Sequence, residues 1–216
     1  MVTACREVAE ETGVDAAAGR QLDVEQYNTA LGPEAVEYWA MRGRIPPFRP
    51  TAEVDRLAWL PLADARPRLD YRRDGYAIDA LEAVADSSLA ASVVLLVRNA
   101  RAVPARRLAG TAGGRPLAVR GREQAEALRR ALSAFGPSRL LSAPEARFAD
   151  TVRPLGADLG LPVEPELALG EDEYAAHPRR GQTRILELAD AGATTVVCVP
   201  GAVIQHLLAP SLTPPN

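Results

Sequence analysis

The chain has 216 residues, enough for one large domain or two of modest size. Hydrophobic residues make up 47% and charged residues 25%, which is ordinary for a globular protein with a buried core. The net charge of −3 argues against attraction to nucleic acid, and no apolar run is long enough to cross a membrane. Since Cys5 and Cys198 show no paired pattern, we expect a soluble, cytoplasmic protein.

The first predicted element is a helix over 3–12, with Gly13 where a C-terminal cap belongs. Glu7, Glu10 and Glu11 stand three and four positions apart, so a helix presents their carboxylates on one face. Hard divalent cations such as Mg²⁺ or Mn²⁺ prefer oxygen ligands of this kind. The residues leave a second interpretation open, in which the triplet is a solvated acidic face beside an arginine.

Short strands are predicted to follow this helix. Apolar and polar residues alternate over 20–29 and 35–45, which favours two antiparallel strands. A proline-rich connection over 45–62 leads into a further short strand. An amphipathic helix over 74–86 then ends the first half of the chain.

The string REVAEETGV, residues 6–14, resembles the second half of the Nudix box at every fixed position. The later stretches VEYWAMRGR and AEVDRLAWLPL are similar to the late strands and acidic loop of MutT-type Nudix hydrolases, which cleave nucleoside di- and triphosphates. This resemblance implies that Glu7, Glu10 and Glu11 ligate Mg²⁺ or Mn²⁺. It also implies catalytic roles for Glu10, Glu11 and Arg6, the arginine orienting a ligand carboxylate.

The same resemblance implies that Glu53 or Asp55 supplies a further acid. Bound metal ions would bridge a pyrophosphate and activate a water for attack. The Nudix box opens with a glycine and a glutamate, and strands precede it, whereas only MVTAC stands before Arg6. We therefore expect residues 1–86 to be an N-terminally truncated, partial Nudix domain with little or no hydrolase activity.

The pattern changes after 87–92, a small and polar stretch that we predict to be a linker. Over 93–208, strand-like runs alternate with amphipathic helices, which is typical of a three-layer α/β domain. The predicted strands are SVVLLV, RLLSA and TTVVCV, and the predicted helices are GREQAEALRRALSAF, EARFADTVRPLGADLG and RGQTRILELADAG. We expect the tail 209–216 to be disordered.

The order of VVLLVRNARA, PLAVRGREQAEAL, LLSAPEARFADTV and VVCVPGAVI resembles the histidine phosphatase (phosphoglycerate mutase-like) superfamily. The resemblance covers residues 93–208 and implies a phosphoglycerate mutase-like fold for them. It implies that Arg98 and Arg147 bind phosphate and that Glu171 is the acid/base. Arginine suits this role because its planar fork contacts phosphate through two donors.

The two histidines of that family have no counterpart in this chain. Asn99 stands at the position of the nucleophile and Pro200 at that of the second histidine. An asparagine amide is not nucleophilic, and proline lacks even a backbone N–H. The histidines that the chain does have, His177 and His206, lie elsewhere, so this second domain is predicted to be catalytically inactive.

These observations combine into one leading function and one alternative. The leading function is a Mg²⁺-dependent Nudix hydrolase of nucleoside phosphoanhydrides such as 8-oxo-dGTP, dGTP or dinucleoside polyphosphates, impaired by truncation and fused to an inactive phosphatase-like domain. The alternative is a non-catalytic protein that binds a phosphorylated ligand or packs against another subunit. In either case the protein would bind a nucleotide or another phosphorylated small molecule, and neither nucleic acid nor a membrane. The sequence leaves open whether the chain forms a homo-oligomer.

Overall fold

The chain folds into two units in the computed structural model, which describes residues 1–29, 32–71, 74–85, 92–104 and 114–209. The first unit comprises Met1–Ala90 with Ala134–Gly136, and the second comprises Ala91–Ser133 with Pro137–Asn216. The predicted linker 87–92 lies outside the described residues except for Ser92, and the predicted tail lies outside them except for Ala209.

The first unit is a helix followed by an antiparallel pair of strands and two further helices. Its elements are α1 Val2–Thr12, β1 Ala16–Thr29, β2 Gly32–Gly43, α2 Leu62–Ala65 with a 3₁₀ turn at Arg66–Arg68, and α3 Asp74–Ala85. As predicted, α1 ends at Gly13, whose φ of 75° lets its N–H reach the carbonyl of Ala9 at 2.9 Å. The two predicted strands pair antiparallel, which confirms that part of the pattern.

One strand prediction in this unit is wrong. No strand forms between Gly43 and Leu62, a stretch that the structure describes throughout, although 45–62 was expected to contain one. Proline occurs four times in this stretch, at Pro46, Pro47, Pro50 and Pro61. Each removes a backbone donor that a sheet would need, and the chain runs as an extended connection instead.

The second unit is built on a parallel sheet with the strand order β3-β6-β4-β5. Its strands are β3 Val93–Arg98, β4 Arg139–Ser142, β5 Val163–Pro165 and β6 Thr194–Val199. Its helices are α4 Val119–Ser133, α5 Ala146–Leu159, α6 Glu171–Ala176, α7 Pro178–Ala189 and α8 Gly201–Leu208, with a 3₁₀ turn at Leu167–Leu169. The central strand β6 is buried at every position, as its continuous apolar run predicts.

Alternate residues of these strands belong to different core clusters. Val97, Leu140 and Cys198 pack in a cluster with side chains of α4 and α5. Leu141 and Val197 pack in another with side chains of α6, α7 and α8. This division follows the two-residue period of a strand and gives the three-layer α/β arrangement that the sequence predicts.

The helices predicted in this half are present. The apolar run AVIQHLL, residues 202–208, forms α8 together with Gly201. No helix was predicted where α6 forms, because its six residues are too few to show a helical period. In the part of the chain that the structure describes, no helix is both long enough and apolar enough to cross a membrane.

Gly121 on α4 marks a close approach between this helix and the chain after β3. A Cβ at this position would overlap the backbone carbonyl oxygen of Arg101 and lie 3.0 Å from its carbonyl carbon. Backbone atoms cannot move aside as a flexible side chain does. A glycine is therefore required here, although it weakens the helix.

We expect Gly121→Ala to lower the free energy of unfolding by about 1–3 kcal/mol, because the overlap outweighs the gain in helix propensity. Thermal denaturation followed by circular dichroism measures the effect. The exposed Glu123→Ala on the same helix is the control and should change stability by less than about 0.5 kcal/mol. Equal stability of Gly121→Ala and the wild type would contradict the close approach.

Candidate active site

Four of the residues predicted from the sequence lie at one edge of the parallel sheet. The carboxyl ends of β3, β4 and β6 meet there, because parallel neighbours run in the same direction. Arg98 ends β3 and pairs in register with Val199, which ends β6. Asn99 and Pro200 follow these strands directly, and Arg147 lies in the first turn of α5, after β4. The fold thus brings together residues that are far apart in the chain.

The guanidinium of Arg147 is almost completely buried at this edge. Its side chain is 7% exposed, and its Cζ lies 4.4 Å from the ring centre of Phe148. Its Nη2 is 2.6 Å from Oε1 of Glu171, a short ion pair that lacks hydrogen-bond geometry, so Nη2 has no hydrogen-bond partner in the described ranges. A buried donor without a partner is costly and calls for an explanation, such as a ligand.

Thr151 fixes the backbone around this guanidinium. Its hydroxyl donates to the carbonyl of Arg147 at 2.7 Å and accepts the N–H of Ala100 at 2.9 Å. The side chain is fully buried, so neither bond competes with water. The chain after β3 is thereby tied to the first turns of α5.

Arg98 lies beside the start of α8. It is exposed and forms no ion pair with any other described residue. A Cβ on Gly201, the first residue of α8, would lie 3.1 Å from Nε of Arg98. No side chain caps this helix end, so its first N–H groups lack partners within the helix. A guanidinium next to an uncapped helix start is an arrangement that suits an anion.

Glu171 is held in place by a second carboxylate. Its backbone N–H donates to Oε1 of Glu145 at 3.2 Å, while Oε2 of Glu145 is buried and meets no hydrogen-bond partner among the residues that the structure describes. Both residues line a cavity of about 470 Å³ together with Asp172, Glu173 and Arg180. We refer to it as the acidic cavity, because four of these five side chains are carboxylates.

The side chains that stand at the positions of the family's two catalytic histidines do not offer a nucleophile. Asn99 donates its amide N–H to the carbonyl of Ala100 at 2.8 Å. Pro200 precedes α8 in an extended conformation and accepts the N–H of Val203 at 3.0 Å through its carbonyl. Neither group can carry a phosphoryl intermediate.

Comparison with known proteins assigns this half of the chain. Residues 94–191 match the family model of the histidine phosphatase superfamily (branch 1). The second unit contains a histidine phosphatase superfamily domain. Its α/β fold with a parallel sheet agrees with this assignment, as the sequence resemblance predicted.

The similarity to one curated relative extends beyond the phosphatase domain. An 8-oxo-(d)GTP phosphatase of Mycolicibacterium smegmatis is 37% identical over 207 residues, which is 96% of this chain. The chain spans 63% of the length of that relative.

Solved structures of phosphatases also resemble part of the chain. A mycobacterial glucosyl-3-phosphoglycerate phosphatase has a TM-score of 0.43 at 19% identity, covering 56% of this chain and 82% of that one. The α-ribazole phosphatase of Shigella flexneri has a TM-score of 0.43 at 18% identity, covering 56% and 80%. These scores are too low to transfer any property, and the assignment rests on the family match.

The function predicted from the sequence is wrong. The family match is to phosphatases and begins at residue 94, outside the segment that carried the Nudix resemblance. A Mg²⁺-dependent Nudix hydrolase is therefore not the function that these findings support. The non-catalytic alternative has no better support, because the histidine phosphatase superfamily suggests a phosphatase-type hydrolase. The prediction that this domain is inactive gains no support from the match either.

The glutamates of α1 lie on the surface with an arginine among them. Arg6 contacts Oε1 of Glu7 at 2.6 Å through Nη2, and its Nε is 3.9 Å from Oε1 of Glu10. The bond to Glu7 is the main cause that raises the pKa of Arg6. Glu11 is exposed, and α1 has no buried residue.

A metal site in this unit stays a prediction. Within the described ranges, no three His, Cys, Asp or Glu side chains are grouped as they would be around an ion. Glu53 and Asp55, predicted as further acids, are exposed, and the hydroxyl of Thr51 accepts the N–H of Glu53 at 3.3 Å. The geometry of α1 matches the solvated acidic face that the sequence left open.

Sequence reasoning missed two residues of the phosphatase domain's edge. Glu145 stands two positions before Arg147 and supports Glu171, and Thr151 stands four positions after Arg147 on the same helix. The spacing of Thr151 from Arg147 was available as a signal, since residues four apart share a helix face. Nothing in the sequence joins Glu145 to Glu171, because that contact depends on tertiary folding.

Cys198 on the central strand is not a substitute nucleophile. Its side chain is completely buried, and burial raises the pKa of the thiol to about 12. A hydrogen bond with Thr151 and the positive charge of Arg147 offset this only partly. The thiolate is the reactive form of cysteine, and it is scarce at neutral pH when the pKa is this high.

We expect iodoacetamide at pH 8 to alkylate Cys5, which is partly exposed, and to leave Cys198 unmodified in the folded protein. With a pKa of about 12, roughly one Cys198 thiol in ten thousand is ionised at that pH. Peptide mass mapping measures both sites, and unfolding in urea should make them react equally. Alkylation of Cys198 as fast as Cys5 in the folded chain would show that the thiol is neither buried nor shifted.

Proposed function

We propose that the second unit binds the phosphate group of a phosphorylated small molecule at the carboxyl edge of its sheet and hydrolyses it as a phosphatase. The observation that carries this proposal is the buried guanidinium of Arg147, whose Nη2 contacts Oε1 of Glu171 at 2.6 Å but forms no hydrogen bond with any described residue. A phosphate oxygen accepts such a donor in a charge-assisted hydrogen bond.

Two further groups at the edge support the same ligand. The exposed guanidinium of Arg98 lies beside Gly201, at the uncapped start of α8. A phosphate placed there would meet the donors of Arg98 and the first N–H groups of the helix. Arg147, in the first turn of the helix that follows β4, would donate to the same phosphate. Positive charge from both arginines is needed, because the carboxylates of the acidic cavity repel an anion.

The chemistry follows from which side chains the edge contains. Since neither Asn99 nor Pro200 is a nucleophile, we propose direct attack of water on phosphorus without a phosphoenzyme. The water oxygen bonds to phosphorus while the bond from phosphorus to the leaving oxygen breaks. Glu171 takes the proton of the water through Oε2, since its Oε1 is engaged by Arg147, and the leaving oxygen takes a proton from solvent.

The relative of this chain suggests the substrate class. Because the 8-oxo-(d)GTP phosphatase of M. smegmatis is 37% identical over nearly the whole chain, we propose a nucleoside triphosphate with an oxidised guanine as the first substrate to test. Release of inorganic phosphate from 8-oxo-dGTP, compared with dGTP, measures both the activity and the preference.

We expect Arg98→Ala to lower kcat/KM for phosphate release from 8-oxo-dGTP by about 10- to 100-fold, the loss of one charge-assisted contact. Arg153→Ala is the matched control. Arg153 is an exposed arginine that pairs with Asp150 on its own helix, α5, at 2.8 Å. Its removal should leave the rate unchanged. Similar rates for wild type and Arg98→Ala would place the activity outside this edge.

A pair of substitutions at Asn99 tests the absence of a covalent intermediate. We expect Asn99→Ala to keep the rate within about threefold, because the amide has no chemical role, and Asn99→His to form an acid-labile phosphohistidine. Rapid acid quench with γ-³²P-labelled substrate measures protein-bound phosphate. Bound label in the wild-type chain, or a loss of activity in Asn99→Ala of more than about tenfold, would contradict direct attack by water.

A further inference from the structure

Both histidines of the chain line one cavity of the second unit. The cavity has a volume of about 760 Å³, within the range of sites for small molecules. His177 lies at its wall just before α7, and His206 comes from α8. We refer to it as the histidine cavity. None of Arg98, Arg147 and Glu171 lines this cavity, so a ligand bound in it does not depend on the proposed function.

The described residues that line this cavity include cations and no carboxylate. Arg179 and Arg180, in the first turn of α7, stand beside the two histidines in the wall. Arg180 pairs with Glu173 at 3.0 Å through Nη1, whereas Arg179 has no ion pair with any other described residue. A concave surface with this composition attracts anions, and guanidinium groups favour phosphate because they offer two parallel donors.

The start of α7 adds a backbone donor to the same wall. This helix has twelve residues, no side chain caps its first turn, and Pro178 occupies its first position. Of the next two N–H groups, that of Arg180 donates to the carbonyl of His177 at 3.0 Å, so the N–H of Arg179 is left without a partner within the helix. It lies where the start of a helix carries partial positive charge.

A buried tyrosine orients the ring of His206. The hydroxyl of Tyr174 lies 3.1 Å from Nδ1 of His206, and the two rings meet edge to face at 83°. Burial raises the pKa of Tyr174, so the phenol keeps its proton and can donate it to Nδ1. In the tautomer in which Tyr174 donates to Nδ1, the ring hydrogen of His206 is on Nε2, which is then a donor for an anion. Gly181 allows this arrangement, because a Cβ there would overlap the ring of Tyr174.

We propose that the histidine cavity is a second anion site that binds the phosphate group of a phosphorylated small molecule through Arg179, Arg180 and the two histidines. The side chains come from α7, from the residue just before it and from α8, all in one unit, so the site needs no other subunit. It performs no chemistry in this proposal; it binds the phosphate without hydrolysing it.

Imidazole ¹H–¹⁵N spectra of histidine-labelled protein test this directly, because the chain has two histidines and therefore two imidazole spin systems. The probe is inorganic phosphate at constant pH, with sodium chloride of equal ionic strength as the reference titration. We expect both imidazoles to shift with phosphate, to saturate with a single Kd and to stay in place with chloride. Unchanged imidazole signals, or equal shifts with chloride, would overturn the proposal.

Two variants separate this site from the candidate active site. Arg179→Gln should weaken the Kd for phosphate, read at His206, by at least about tenfold, the value expected for a lost charge-assisted contact. Arg98→Ala should leave this Kd unchanged. If Arg98→Ala abolishes the imidazole shifts, they report binding at the sheet edge and the second site is wrong. If Arg179→Gln binds as the wild type does, the arginine makes no contact and the proposal fails.

Discussion

The buried charge of Arg147 is the constraint on which the candidate active site of the phosphatase domain depends. A guanidinium withdrawn from water must be compensated, and the carboxylate of Glu171 and the ring of Phe148 provide that compensation. Thr151 holds the backbone from which the side chain extends. These partners come from α5 and α6, and Thr151 also binds the chain after β3, so the edge exists only when all three segments are in place. Nη2 of Arg147 contacts the carboxylate of Glu171 without forming a hydrogen bond to any described residue, and it is the donor that the proposed phosphate would bind.

The sheet of this domain could be predicted because its inner strands, β4 and β6, are buried along almost their whole length. In TTVVCV every residue except Cys198 is β-branched, and such a run needs no long-range information to be recognised. The helix around Arg147 was equally clear from its 3.6-residue period. The predictions of secondary structure fail where the local sequence pattern does not determine the structure. Residues 45–62 have the apolar residues of a strand but too many prolines, and α6 is too short to show a period.

The candidate sites also differ in how far the sequence alone could predict them. The resemblance to the histidine phosphatase superfamily singled out Arg98 and Arg147, and the fold places both at one edge because parallel strands bring their ends together. Their binding of phosphate stays a prediction. Three glutamates on α1 also form a clear local pattern, but a helix face alone does not make a metal site. Arg6 takes part of their charge, and the helix buries none of its residues. The histidine cavity had no signal in the sequence, since only the packing of α7 near α8 brings His177 and His206 to one wall.

Arg180 stands between two cavities of opposite charge, since it lines both the acidic cavity and the histidine cavity. Its ion pair with Glu173 neutralises part of its charge on the acidic side. An anion in the histidine cavity is therefore met mainly by Arg179, whose charge no carboxylate of the described chain offsets through an ion pair. On the other side, Glu171 faces the buried charge of Arg147. A carboxylate beside a cation suits proton transfer from water, whereas cations without a carboxylate suit retention of a phosphate, so the two cavities differ in what they can do although one arginine lines both.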